Sequence, residues 1–183
     1  MRNLVLITLL GASSLSATAT TPLWMRDANI SPDGKEIVFT YKGDIYKVSA
    51  NGGNAVQLTT QDSYESSPVW SPDGRQIAFA SDRHGNADIF IMPGDGGPAT
   101  RLTYNSASET PWTFTTDGKY VMFSASIQDP ATSAMFPTSS MSELYKVPVT
   151  GGRTEQVLGT PAEMVNFDKS GNRMLYQDQK GFE

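Results

Sequence analysis

The sequence predicts an all-β fold in which four-stranded antiparallel sheets repeat as the blades of a β-propeller. Three short phrases recur in the same order along its 183 residues. The first is a turn, Ser31-Pro32-Asp33-Gly34, which returns at 71–74, at 115–118 and, altered, at 168–171. The others are a strand phrase beginning Asp44-Ile45-Tyr46 and a Gly52-Gly53 pair followed by Leu58-Thr59. A period of roughly 40 residues with four strands per repeat is typical of propeller blades.

Each repeat is predicted to contain four strands. The predicted strands are 27–30, 36–41, 44–49 and 56–60 in the first repeat, 68–70, 76–81, 88–92 and 100–103 in the second, and 111–114, 120–125, 143–147 and 155–158 in the third. The corresponding blades cover about 24–60, 61–104 and 105–160. Ile77, Ala78 and Phe79 are apolar without alternation, which indicates a sheet covered on both faces. A single sandwich or barrel is the alternative, but it does not explain three phrases repeated in register.

The fourth repeat, 161–183, is incomplete. Glu163–Phe167 and Arg173–Asp178 are predicted as its first two strands, and the sequence then stops at Glu183. About three and a half blades do not close a ring, because propellers have about 4–8 blades. We therefore expect the N-terminal part of a longer protein, whose remaining domains would be its partners. A chain that closes by pairing with another copy, as a homo-oligomer, is the alternative.

The first 19 residues have the pattern of a secretory signal peptide. Arg2 precedes an apolar run, Leu4–Leu10, and Ala17-Thr18-Ala19 fits the small-residue cleavage site. The run is too short to span a bilayer, and no second long apolar segment follows. We therefore expect the mature chain, 20–183, to be periplasmic or secreted, with no membrane span.

Composition narrows the function classes. The net charge of −5 and the pI of about 4.9 argue against a nucleic-acid partner, which requires a basic surface. The absence of cysteine excludes a disulfide framework, a thiol nucleophile and a lipid anchor at the cleavage point. No motif for a cofactor is found.

The repeated phrases resemble the PD40 (WD40-like) repeats of TolB-type propellers. Trp70-Ser71-Pro72-Asp73-Gly74, Ile77-Ala78-Phe79 and Asp88-Ile89-Phe90 carry this resemblance, which extends over about 30–180. The third and fourth copies depart from it, because Thr116 and Lys169 replace the proline.

A closer resemblance is to the start of tricorn-protease-like proteins of the S41 peptidase family. It rests on segments 21–26, 41–46, 109–112, 143–148 and 176–183.

The tricorn resemblance implies a function for the whole protein. In that family an N-terminal propeller precedes a second propeller, a PDZ domain and a catalytic core that holds the serine and histidine. It implies a non-catalytic propeller in a secreted or periplasmic serine peptidase, which gates or docks peptide substrates. No position here matches a catalytic motif. A TolB-like periplasmic protein-binding scaffold and the propeller of a prolyl-oligopeptidase-type hydrolase are the alternatives.

Few residues suggest chemistry of their own. His84 is the only histidine, and a general base would need a positioned nucleophile and an orienting acid. We therefore interpret it as a solvated loop residue. Asp82, Asn86 and Asp88 could offer oxygen ligands to Ca²⁺, but their spacing does not match a calcium loop, so no metal site is predicted. Repeated Trp70 and Trp112 are expected to pack between blades.

The predicted contact surface is built from loops. The insertion 126–142, which contains Met135 and Phe136, should share one face with the other loops between second and third strands and with loops 61–66 and 104–108. Long loops on a rigid scaffold often carry function. The candidate substrate or partner residues are His84, Tyr64, Tyr104, Met135 and Phe136. A merely tolerated insertion remains the alternative.

Overall fold

The computed structural model describes residues 24–127 and 142–178, and the regular secondary structure within these ranges is all β-strand. The predicted signal segment lies outside the described residues, as does most of the 126–142 insertion. No helix of the described chain is long and apolar enough to cross a membrane. The strands are β1 (Met25–Ile30), β2 (Glu36–Tyr41), β3 (Asp44–Ser49), β4 (Val56–Gln57), β5 (Glu65–Trp70), β6 (Gln76–Ser81), β7 (Asp88–Pro93), β8 (Thr100–Arg101), β9 (Glu109–Phe114), β10 (Tyr120–Ala125), β11 (Glu143–Pro148), β12 (Glu155–Phe167) and β13 (Met174–Asp178).

These strands form three sheets in which every pairing is antiparallel. Sheet I has the order β1-β2-β3-β4, and sheet II has the order β5-β6-β7-β8. Sheet III has five strands in the order β13-β12-β11-β10-β9. Within each sheet, strands that follow one another in the chain therefore lie side by side. The predicted all-β fold of repeated antiparallel blades is confirmed, and the described residues make about three and a half blades.

The sheets pack face to face because their central strands are apolar on both faces. Two clusters hold the sheets together, one between sheets I and II and one between sheets II and III, and a third lies within sheet III, where it joins β10 and β11 to the second half of β12. The first contains Val38, Ile45, Trp70, Ile77, Phe79, Phe90 and Met92; the second contains Val69, Ala78, Ile89, Ile91, Leu102, Phe114, Val121, Phe123, Ala125, Tyr145 and Val147; the third contains Met122, Leu144, Ala162 and Val165. Trp70 belongs to the first cluster and Trp112 packs against the third, so their predicted inter-blade packing is confirmed.

The recurring turn is held by its own side chains. The Ser31 hydroxyl donates to Asp33 Oδ1 at 2.7 Å and accepts the Glu36 N–H at 2.9 Å. Asp33 Oδ1 also accepts the Lys35 N–H at 3.1 Å. Gly34 has a φ of +73°, in the left-handed region that glycine adopts without steric cost. The turns at 71–76 and 115–120 repeat these bonds, which explains why the phrase recurs.

Acid is expected to weaken these turns. Hydrogen bonds from Ser31 and the Lys35 amide lower the pKa of Asp33 to about 2, and bonds from Thr115 and the Lys119 amide do the same for Asp117. A pKa lowered by folding stabilises the folded state above the unfolded value, about 4, and this stabilisation is lost as the pH falls through about 2. The gap in urea midpoint between wild type and the Asp33→Asn/Asp117→Asn variant should close over that pH range. A constant gap would contradict the prediction.

The fourth strands of sheets I and II are shorter than predicted. They comprise two residues each, Val56–Gln57 and Thr100–Arg101, instead of 56–60 and 100–103. A threonine hydroxyl takes the place of a backbone acceptor: Thr59 Oγ1 accepts the Ile45 N–H at 2.9 Å, and Thr103 Oγ1 accepts the Ile89 N–H at 2.8 Å. The sheet edge is therefore completed by side chains where the strand ladder ends.

The first strands of the sheets begin earlier than predicted, and each contains a β-bulge near its predicted start. In β5 the pairing with β6 shifts between Ser66 and Val69, and Ser67 has a φ of +52°. Asp27 in β1 and Met164 in β12 have the same φ. The corresponding residue of β9 is Pro111, whose ring excludes a positive φ. In β9 the shift falls one residue later, between the pairs Phe123↔Pro111 and Met122↔Thr113.

One predicted loop is absent. The segments 155–158 and 163–167 were expected as two strands, but Glu155–Phe167 forms the single strand β12. Its first part pairs with β11, as in Lys146↔Glu155, and its second part pairs with β13, as in Phe167↔Met174. The third repeat therefore passes into the fourth without leaving the sheet.

Candidate functional site

Two sets of loops lie at one end of the sheets, which we call the loop end. One set joins the second and third strands (42–43, 82–87), and the other joins one sheet to the next (58–64, 102–108). In an antiparallel sheet these connections emerge together. The opposite end, which we call the turn end, carries the Ser/Thr-x-Asp-Gly turns and the glycine pairs.

Hydrogen bonds hold the loops of neighbouring sheets to one another. The Tyr64 N–H donates to Asp82 Oδ1 at 2.8 Å, and the Asp82 N–H donates to the Tyr64 carbonyl at 3.3 Å. The side-chain amide of Asn86 donates to the carbonyls of Asn105 (3.0 Å) and Ala107 (2.9 Å). The two predicted loop sets therefore share one face, although their role in binding stays a prediction.

A buried carboxylate, Glu65, lies beneath the first pair of loops. Its side chain is 0% exposed, and its Oε1 accepts hydrogen bonds from Ser63, from Ser81 at 3.0 Å and from Arg83 Nη2 at 3.0 Å. Its Oε2 is buried without a hydrogen-bond partner among the described residues. Burial, followed by the Glu65 charge, raises the pKa of nearby Asp44. The loop end thus holds a carboxylate–guanidinium pair, Glu65 and Arg83, below its surface.

The next junction repeats this arrangement. Glu109 is buried, and it accepts hydrogen bonds from Thr103 Oγ1 and from Asn105 Nδ2. Asp88 is also buried, and its Oδ2 lies 2.7 Å from Arg101 Nη2. Burial raises the pKa of Glu109, and the neighbouring Asp88 charge adds to the shift. The β12 equivalent of these glutamates is Ala162, so the arrangement does not recur there.

The sequence analysis missed Glu65 and Glu109. Both stand nine residues before a turn glycine, Gly74 and Gly118. That shared offset could have indicated their role, because a charged residue at the same position of two repeats is expected to make the same structural contacts in both. Acidic residues are mostly exposed, however, so burial could not be inferred from their type.

The predicted contact residues that the structure describes are exposed. His84 stacks on Phe90 with ring centroids 6.0 Å apart. Tyr64 is 47% exposed, and Tyr104 is 72% exposed with the Arg101 guanidinium 4.5 Å from its ring centroid. Met135 and Phe136 lie outside the described residues.

The oxygen ligands considered for Ca²⁺ have other partners. Asn86 binds the 102–108 loop through its amide, Asp82 accepts from Tyr64, and Asp88 pairs with Arg101. The described ranges contain no group of three His, Cys, Asp or Glu residues placed to hold a metal ion. His84 has no hydrogen-bonded acid among these residues that would orient it as a base.

Negative charge is concentrated at the loop end. When each charged residue of 24–127 and 142–178 is assigned to the nearer end of its strand, the loop end has ten acidic and four basic side chains, and the turn end has seven acidic and eight basic ones. Those at the loop end are Asp27, Asp44, Asp62, Glu65, Asp82, Asp88, Glu109, Glu143, Glu163 and Asp178, with Arg26, Lys42, Arg83 and Arg101. The negative charge of the described chain therefore arises at its loop end.

Comparison with known proteins identifies the family. The family model for the tricorn protease N-terminal beta propeller domain matches residues 22–182. The chain belongs to this family. This match confirms the resemblance to the start of tricorn-protease-like proteins, which rested on segments 21–26, 41–46, 109–112, 143–148 and 176–183.

Solved structures support the propeller fold. TolB from Acinetobacter baumannii superposes with a TM-score of 0.63 at 22% identity, over 85% of this chain and 38% of that one. A nidogen/laminin complex gives 0.66 at 12% identity, over 84% and 56%. The tricorn protease gives 0.51 at 15% identity, over 68% and 13%. The chain thus spans between about one eighth and just over half of these structures, and at such identities the likeness concerns the fold.

Proposed function

We propose that this tricorn N-terminal propeller domain docks peptide or protein segments at its loop end and does not itself hydrolyse them. The observation that carries the proposal is the loop end itself, where hydrogen-bonded loops present exposed Tyr64 and Tyr104. Exposed tyrosines on a rigid support are typical of binding surfaces, because the ring supplies contact area at little cost in conformational entropy.

The docked segment is proposed to be a substrate of a tricorn-like S41 serine peptidase of which this propeller is a part. The family match to a tricorn protease domain supports this assignment. In this view the propeller gates or docks peptides and the hydrolysis takes place elsewhere. The signal-like segment 1–19 supports a periplasmic or secreted location.

A TolB-like scaffold that binds protein partners without any enzyme is the second candidate. The superposition on TolB from Acinetobacter baumannii favours it. Both candidates use the loop end as a binding surface, so one binding experiment tests the feature that they share.

Removing the two exposed tyrosines should weaken peptide binding. In the Tyr64→Ala/Tyr104→Ala variant, we expect the dissociation constants of peptides that bind the wild-type chain to rise about thirtyfold, because the two rings together contribute about 2 kcal/mol. The measurement is fluorescence anisotropy with a panel of labelled peptides. The control is Tyr176→Ala, which removes an exposed tyrosine from β13 instead. Equal weakening by both variants, or binding by neither the variants nor the wild type, would contradict the proposal.

The absence of hydrolysis and the location are tested separately. Mass spectrometry of peptides incubated with the purified chain should show them intact, and cleavage products that increase with time would overturn the non-catalytic role.

Cell fractionation should find the chain outside the cytoplasm and beginning at Thr20. A cytoplasmic chain that retains Met1 would overturn the proposed location.

A further inference from the structure

The exposed tyrosines of the loop end lie among carboxylates. Asp62 and Asp82 are both exposed. Asp62 stands two residues before Tyr64 in the chain, and the Asp82 carboxylate accepts the Tyr64 N–H. Carboxylates beside an aromatic ring offer two attractions to a cation, because the ring face is also electronegative.

Two of the three arginines of the loop end, Arg83 and Arg101, do not neutralise this surface, whereas exposed Arg26 lies 5.9 Å from the Trp24 ring centroid. Arg83 turns inward, with Nη2 3.0 Å from Glu65 Oε1 and its guanidinium 4.4 Å from the Phe90 ring centroid. Arg101 likewise pairs with buried Asp88. The guanidinium groups of Arg83 and Arg101 are therefore both paired with carboxylates below the surface. Exposed Lys42, which lies 5.3 Å over the Tyr41 ring, offers a positive charge towards solvent.

The buried carboxylates add an independent observation. Glu65 Oε2 and Asp88 Oδ1 are inaccessible to solvent and have no hydrogen-bond partner in the described part of the chain. Both residues begin strands at the loop end. Since Arg83 and Arg101 each pair with one of these carboxylates, while buried Glu109 accepts only from uncharged Thr103 and Asn105, the buried layer adds no net positive charge beneath this surface.

From these three observations we propose that the loop end selects segments rich in lysine and arginine. Ammonium and guanidinium groups would contact Asp62, Asp82 and the Tyr64 ring, because the Arg101 guanidinium already lies over the Tyr104 ring. The turn end, where acidic and basic side chains are nearly balanced, lacks this selectivity. The inference rests on the proposed docking function and specifies the chemical class of the docked segment.

Three labelled peptides of equal length test the selectivity. They share one aromatic and aliphatic framework and carry lysine, glutamine or glutamate at the same positions. With the 183-residue chain, we expect the lysine peptide to bind at least about tenfold more tightly than the glutamine peptide, and the advantage to shrink with added salt, because exposed charges are screened over about 10 Å at 0.1 M. The glutamate peptide should bind most weakly.

Two double variants locate the effect. Asp62→Asn/Asp82→Asn removes two charges at the loop end, and the amide that replaces the Asp82 carboxylate keeps an oxygen for the Tyr64 N–H. Asp33→Asn/Asp73→Asn removes two charges at the turn end and keeps the corresponding acceptors. We expect about fivefold weaker lysine-peptide binding in the first variant, which corresponds to about 1 kcal/mol for the two exposed carboxylates together, and less than about twofold in the second.

Each outcome has one meaning. Binding that is equally tight for lysine and glutamine peptides, or equally weakened by both variants, overturns the charge selectivity and leaves the docking function standing. Binding of none of the three peptides overturns the docking function and the selectivity together. Selective binding of the lysine peptide that only the loop-end variant weakens supports both.

Discussion

Replacing Arg83 with methionine is expected to lower the free energy of unfolding by about 3 kcal/mol. The change leaves Glu65, which is 0% exposed, without the cation 3.0 Å from its Oε1. A buried charge that loses its partner is costly, because the protein interior solvates it poorly. Methionine also loses the hydrogen bond from Arg83 Nε to Ser81 Oγ at 2.8 Å and the guanidinium contact with the Phe90 ring, so a second substitution at Glu65 is needed to isolate the charge pair. Urea unfolding followed by circular dichroism measures it.

A matched control separates this pair from surface ion pairs. Arg75 lies 3.9 Å from Asp73 with its side chain 85% exposed, and Arg75→Met should change the unfolding free energy by less than about 0.5 kcal/mol. Adding Glu65→Gln to Arg83→Met should restore most of the loss, because glutamine carries no charge into the interior. If Arg83→Met cost no more than Arg75→Met, Glu65 would not depend on Arg83.

Truncating Phe79 to alanine should cost about 4 kcal/mol. Phe79 is 0% exposed and belongs to the cluster between sheets I and II, where it stacks on Phe90 with ring centroids 5.9 Å apart. The lost ring removes contacts from both sheets and leaves a cavity that packed strands cannot fill by relaxing. The measurement is again the urea midpoint at an unchanged m-value.

The repeat supplies a second site for the same test. Phe123 occupies the corresponding place between sheets II and III, is also 0% exposed and stacks on Tyr145. Phe123→Ala should therefore cost about as much as Phe79→Ala. Val56→Ala, at a 60% exposed position of β4, should cost less than about 0.5 kcal/mol. A loss below about 1.5 kcal/mol at Phe79 would mean that the two sheets are not packed as described.

The features predictable from the sequence are those with local causes. The turn at 71–76 is held by Ser71 and Asp73, which bond partners two to five residues away. Its residue types therefore predict it wherever they recur. The buried second and third strands were predictable for a similar reason, since apolar runs such as Ile77–Phe79 belong to sheets covered on both faces.

The features missed depend on partners distant in the chain. The early end of β4 depends on Thr59 accepting the Ile45 N–H, 14 residues away. The continuity of β12 depends on its pairing with β11 over one half and with β13 over the other. Neither pairing is visible in the residue types of the segment itself, and a Gly159-Thr160-Pro161 sequence suggests a loop.

The candidate site was predictable in part. Loop positions placed Tyr64 and Tyr104 at one end of the sheets, because antiparallel connections alternate between ends. The buried layer beneath them was not predictable, since Glu65 contacts Arg83 only after β5 has paired with β6. A carboxylate surrounded by serines in the sequence looks solvated until that register is known.

The unbroken strand β12 has a consequence for movement within the molecule. Sheets I and II are joined through residues 60–63, which lie outside the strands, so their backbone angles can change without breaking strand pairing. Tilting the third repeat against the fourth would instead require breaking main-chain hydrogen bonds that β12 makes with β11 or β13. Bending should therefore concentrate between sheets I and II and between sheets II and III. The connection between the third and fourth repeats should bend least. Amide protons of β12 should accordingly exchange with solvent more slowly than those of residues 60–63.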